Sequence, residues 1–261
     1  MRSNPVKEKL KNGGIVIGTF CPIPSPLVVE VLGLSGLDFV IVDSEHGPIG
    51  PETAEAMYRA AESVGITPVT RIGENSQQVI QKFLDAGSLG VQTPLVNTRE
   101  EARRVVDAVK YPPMGKRGLA GTRASWYGLS GPLGEYVEMA NRETLVVVQV
   151  ETLEAVKNID EILSVEGTDV VFMGPTDLSS VLGMAGQTRD PKVRELIEQL
   201  GKKAVAAGKA AGTLARDLEE YRYWRERGFQ YLCTGAPGFL AQGAQGYVRA
   251  VREFERSGGR A

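Results

Sequence analysis

The stretch from Leu145 to Asp177, LVVVQVETLEAVKNIDEILSVEGTDVVFMGPTD, holds one full repeat of the pattern that organises the chain. A continuous apolar run, Leu145 to Val150, ends on Glu151. Thr152 then opens a polar stretch, and a second apolar run, Val170 to Met173, leads into Gly174-Pro175-Thr176-Asp177. Short runs without polar alternation read as strands buried on both faces, which is the habit of parallel sheets wrapped by helices. A carboxylate just past such a strand points into the mouth of a barrel, and two from neighbouring strands make an open site for a hard cation.

Working outward, six more runs match: Gly14 to Phe20, Phe39 to Asp43, Pro68 to Ile72, Gly90 to Val96, Ala211 to Leu214 and Tyr231 to Thr234. Eight strand–helix units predict a closed (β/α)8 barrel. The length of 261 residues fits one such domain over 1–261, since these barrels take about 250 residues. Between the strands, Pro51 to Val64 reads as a helix stopped by Gly65, and Asn75 is expected to cap the next, which ends at Gly87. Thr98 with Glu101 forms a capping box, and Thr152, Asp190 and Asp217 are candidate starts of later helices. Pro112 to Arg142 shows no firm period and reads as a long loop. The last helix, Phe239 to Phe254, sets Leu240, Ala244, Tyr247, Val248 and Val251 on one stripe.

Charge excludes some partners. The 30 basic and 32 acidic residues nearly cancel without blocks of one sign, which argues against nucleic acid and anionic membranes. No apolar run approaches the roughly 20 residues of a membrane helix, and the first residues lack the apolar core of a signal peptide, so a cytoplasmic location is expected. Cys21 and Cys233 fall on strands that meet when a barrel closes. Two buried free thiols fit a reducing compartment better than a disulfide.

The strand ends carry the chemistry. Strand two ends in Asp43-Ser44-Glu45-His46-Gly47-Pro48, and His46 is the sole histidine. Beside two carboxylates it suits general acid/base work, although lone histidines are often structural. Arg71 at the end of strand three is either a salt-bridge partner or a holder of a developing oxyanion. Strand alternation sends Gln149 and Glu151 to one side. The turn Gly174, Pro175, Thr176 offers backbone N–H groups to a carboxylate. Glu151 and Asp177 read as metal ligands, with helix capping as the alternative. No lysine lies in or directly after a strand run, so a Schiff base has no candidate amine. Neither GxGxxG after a strand, nor a GK(S/T) loop, nor a CxxC pair occurs.

Together DSEHGP, PVTRIG, KFLDAG, YPPMGKRG, QVET and FMGPTDLS, spread from about Gly18 to Gly235, resemble the class II pyruvate aldolases of the 4-hydroxy-2-oxoheptanedioate and 2-dehydro-3-deoxyglucarate aldolase family. The resemblance implies a phosphoenolpyruvate-mutase-like barrel, an eighth helix exchanged between subunits, and a hexamer. It implies Mg, Mn or Co on Glu151 and Asp177, with pyruvate oxygens also bound to the ion. By motif it makes His46 the acid/base, sets Arg71 beside the keto oxygen and Gln149 near the pyruvate, and supplies Asp85 to the histidine across a subunit interface. The loop Gly118 to Gly128 resembles a shortened wall of the aldehyde pocket. The implied reaction is cleavage of a 4-hydroxy-2-oxo acid to pyruvate and an aldehyde. A thioester lyase or an oxaloacetate decarboxylase would keep the same carboxylate pair, and a module that only binds would lack the paired groups.

Overall fold

Val, Ile and Leu dominate eight short strands, and in a computed structural model, which describes residues 3–257, these close into one parallel barrel in sequence order. They are β1 (Val16–Cys21), β2 (Phe39–Asp43), β3 (Thr67–Arg71), β4 (Gly90–Thr93), β5 (Leu145–Val150), β6 (Val170–Met173), β7 (Ala210–Leu214) and β8 (Tyr231–Gly235). Each expected run overlaps its strand: β2, β5 and β6 match at both ends, and β1, β3, β7 and β8 shift by one or two residues at an end. The largest difference is β4, which stops at Thr93 rather than Val96. Pro94 has no N–H to continue the ladder, and Leu95 adopts a left-handed φ of 53°.

Alternation divides the apolar residues into two layers. Leu145, Val147, Val170 and Phe172 join Phe39, Ile41 and Tyr231 inside the barrel. Val146, Val148, Val150, Val171 and Met173 face the surrounding helices. The same parity puts Cys233 in the inner layer and Cys21 in the outer one, so the two thiols sit on opposite faces of adjacent strands and are free.

The capping signals are mostly met. Thr98, Thr152, Asp190 and Asp217 each accept a bond from a first-turn N–H. Glu101 reaches back to the N–H of Asn97 at 2.7 Å, one residue before Thr98. Asn75 is not a cap. Ser76 holds that position, and the Asn75 amide donates instead to the Glu101 carbonyl at 3.1 Å, tying two helix starts together. Some helices fall outside the sequence expectations. Leu133–Glu143 occupies part of the expected loop and buries only Tyr136, Ala140 and Asn141, a stripe too short to show a period. Pro5–Lys11 plugs the N-terminal end of the barrel with Val6 and Leu10. Chemistry is therefore left to the C-terminal end.

Ala236–Arg256 departs from an ordinary barrel. It follows β8 directly, yet among its residues only Ala236 is buried. Phe239, Leu240, Tyr247, Val248, Val251 and Phe254 are exposed, as are Leu27, Val31 and Leu34 on the helix after β1.

Candidate active site

The C-terminal ends of β2 and β3 build one wall. Asp43 and Arg71 are register partners, and the buried Asp43 carboxylate takes Arg71 Nε at 2.9 Å and Nη2 at 2.6 Å. The same carboxylate accepts the N–H groups of Glu45 and His46, at 3.2 and 3.3 Å, which fixes the turn. Gly47 is required there, because a Cβ would lie 2.4 Å from the Asp43 carbonyl. Arg71 Nη1 stands 3.2 Å from Glu45, and its guanidinium lies 4.6 Å from the Phe20 ring centroid. Arg71 is thus a salt-bridge partner, and it also lines the cavity. Burial raises the Glu45 carboxyl above its ordinary range despite the opposing Arg71 charge.

His46 stands at the rim. Its side chain is 69% exposed, and Nε2 lies 4.0 Å from Glu45. Within the chain Asp85 is not brought to it. Asp85 ends the helix Gln77–Ala86, towards the far end of the barrel, where its carboxylate receives Arg117 Nη2 at 2.7 Å. The segment from Gly118 to Gly128 is likewise absent from the cavity lining of its own chain.

The opposite wall comes from β5 and β6. Glu151 is buried, with Oε1 accepting the Leu95 N–H at 2.7 Å and Oε2 accepting Gln149 Nε2 at 2.7 Å. It caps no helix, since Thr152 does that. Burial pushes its carboxyl up to about 7, with the Leu95 N–H opposing and the Asp177 charge adding. Asp177 lies in the first turn of Pro175–Val181, behind Gly174. A Cβ on Gly174 would fall 2.8 Å from Glu151 Oε2 and 3.6 Å from Asp177 Oδ2. The two carboxylates therefore face one small space that only glycine leaves open. Hard oxygen donors suit a divalent cation of the magnesium or manganese type. Among the described residues no group of three or more His, Cys, Asp or Glu side chains could hold an ion. A cation held by this pair alone keeps most of its coordination positions for other oxygens.

All these parts meet in one cavity of about 580 Å³. His46, Arg71, Gln149, Glu151, the turn Gly174, Pro175, Thr176, and Asp177 line it, and Asp85 does not. No lysine is among the lining residues. Burial pulls Lys110 down to about 7, but that ammonium sits at the opposite end, 2.8 and 2.7 Å from the Asn141 and Thr144 carbonyls. Sequence reasoning missed Phe20, Leu214 and Arg216 on the walls, all at strand ends where a search of every rim position would find them. It also missed Gln92 and Leu95 behind Glu151. The amide of Gln92 within β4 was the available signal.

Residues 16–244 match the model of the HpcH/HpaI aldolase/citrate lyase family. The chain belongs to this family. A hydroxypyruvate/pyruvate aldolase of Sagittula stellata is 41% identical over 88% of this chain and 90% of its own. A 2-keto-3-deoxy-L-rhamnonate aldolase of Escherichia coli K12 is 39% identical over 82% of this chain and 79% of its own. Among solved structures, the citrate synthase SbnG superposes with a TM-score of 0.87 at 34% identity, over 96% of this chain and 98% of that one. The family resemblance carried by the sequence motifs is therefore correct, and the chain has the closed (β/α)8 barrel it implied.

Proposed function

We propose that this HpcH/HpaI family member is a carbon–carbon lyase that reversibly cleaves a 4-hydroxy-2-oxo acid to pyruvate and an aldehyde, using a divalent cation (Mg, Mn or Co) held by Glu151 and Asp177. The carrying observation is the pair of carboxylates converging over Gly174 in the cavity that also holds Arg71. A cation at that pair supplies Lewis-acid polarisation of the 2-oxo group. Arg71 meets the negative charge that develops on the keto oxygen as the bond between the third and fourth carbons breaks. Asp43 and Glu45 hold its guanidinium in place beforehand, so little reorganisation accompanies the reaction. The backbone N–H groups after Pro175 receive the substrate carboxylate, with Gly174 and Thr176 shaping the turn. Gln149 orients Glu151. His46 takes the proton of the 4-hydroxyl, directly or through water, and returns it in the condensation direction.

Asp85 enters this reading as a partner to His46 from a neighbouring subunit of a hexamer. The bared helix Ala236–Arg256 supports subunit exchange, because a helix with one buried residue needs a second surface for its apolar stripe. A cytoplasmic location is part of the same reading, and no helix among the described residues is long and apolar enough to cross a membrane.

Likeness to a citrate synthase favours one second reading, an oxaloacetate decarboxylase or thioester lyase on the same barrel. Turnover of a panel of 4-hydroxy-2-oxo acids, oxaloacetate and a hydroxyacyl thioester separates the two. Turnover of the hydroxy acids is expected to dominate. Turnover of oxaloacetate alone, or of a thioester alone, selects the second.

A further inference from the structure

A line of buried polar groups crosses the barrel interior behind the carboxylate pair. The Tyr231 hydroxyl donates to Gln92 Oε1 at 3.3 Å, Gln92 Nε2 donates to Gln149 Oε1 at 2.6 Å, and Gln149 Nε2 donates to Glu151 Oε2 at 2.7 Å. Gln92 and Tyr231 are completely buried, so water does not offer replacement bonds. An amide has one accepting end and one donating end, and the polarity of this line is therefore set as a unit. If Gln149 were reversed, its carbonyl would face the Glu151 carboxylate, acceptor against acceptor. Gln92 prevents that by presenting its own N–H to the Gln149 oxygen.

The β4 segment thus controls both oxygens of Glu151. Gln92 reaches Oε2 through Gln149, and Leu95, two residues beyond the strand, gives its N–H to Oε1 at 2.7 Å. With both oxygens anchored, Oε2 faces the space over Gly174 that Asp177 shares. We propose that Gln92 is a positioning residue that, through the amide orientation of Gln149, aims Glu151 at a divalent cation. This rests on the reading of Glu151 and Asp177 as the cation's holders.

Titration calorimetry with Mn2+ alone tests it. Gln92→Met keeps the volume and removes the amide, and it is expected to weaken Mn2+ binding about tenfold, the usual scale for losing a partner behind a metal ligand. The effect is expected to vanish when Gln92→Met is made in a Gln149→Leu background, since Gln92 acts through Gln149. A merely structural role would weaken both backgrounds alike, and that result overturns the proposal. So does an unchanged Mn2+ Kd in Gln92→Met beside a wild-type protein that binds. Failure of the wild-type protein to bind Mn2+ overturns the cation reading itself. Should Gln92→Met not fold, Tyr231→Phe, which removes the donor that anchors the Gln92 carbonyl, carries the test. Weaker Mn2+ binding supports the proposal, and unchanged binding overturns it.

Discussion

Gly174 lacks a side chain where the two carboxylates share a space, and a methyl group there would stand 2.8 Å from Glu151 Oε2. Gly174→Ala is therefore expected to fold and to lose most Mn2+ affinity in calorimetry, whereas unchanged affinity would place the cation elsewhere. Glu151 itself carries a pH signature. Its carboxyl in the metal-free fold lies near 7, above the ordinary 4.5, because burial disfavours the charge. Between these values the fold binds more protons than the unfolded chain, so this group's contribution to stability falls as pH rises through that window. Subtracting the melting profile of Glu151→Gln from that of the wild type isolates the effect. The metal-free wild type is expected to lose stability relative to the variant from about pH 5 to about pH 8, and Mn2+ to restore it at the upper end. A flat difference would mean that Glu151 is not desolvated. In the proposed reaction Arg71 faces charge that appears only in the transition state, so Arg71→Lys is expected to lower kcat by about 10². A change confined to KM would reduce Arg71 to substrate binding.

Within the strands, close packing sets what each position tolerates. Gly18 on β1 faces the barrel interior, where a Cβ would come within 2.5 Å of the Phe39 ring, which is stacked on Tyr231 with centroids 4.3 Å apart. Gly18→Ala is expected to cost about 1–3 kcal/mol in denaturant unfolding through overpacking. A neutral result would show that the stack can shift. The strands were legible because their runs are mostly apolar and short, and strand parity then set Gln149 beside Glu151. That His46, Arg71 and Asp177 line the cavity was legible from their places at or just past the strand ends. Leu133–Glu143 was not, since three buried residues make no period, and Pro5–Lys11, with two buried residues, had only its Asn4 cap and Pro5 to mark it. Gln92 was hidden for another reason: its meaning lies in partners on β5 and β8, brought together only by closure of the barrel. Asp85 had a motif but no location in the chain that explains it, because its own subunit gives it Arg117.

At the scale of the molecule, Ala236–Arg256 leaves Phe239, Leu240, Tyr247, Val248, Val251 and Phe254 bare, while Leu27, Val31 and Leu34 are bare on the barrel. The proposed exchange of this helix between subunits would cover both, and light scattering is expected to find a stable oligomer at micromolar concentration. An active monomer would contradict exchange. In the proposed reading the same assembly would bring a neighbour's Asp85 to His46. Metal-dependent aldol cleavage is the claim on which the remaining assignments depend, and one assay reaches it most directly: pyruvate release from a 4-hydroxy-2-oxo acid before chelation, after exhaustive chelation, and after return of Mg2+, Mn2+ or Co2+. Activity is expected to disappear with the chelator and to return with the cation in the wild type but not in Glu151→Gln. Undiminished pyruvate release from the chelated protein would contradict the account.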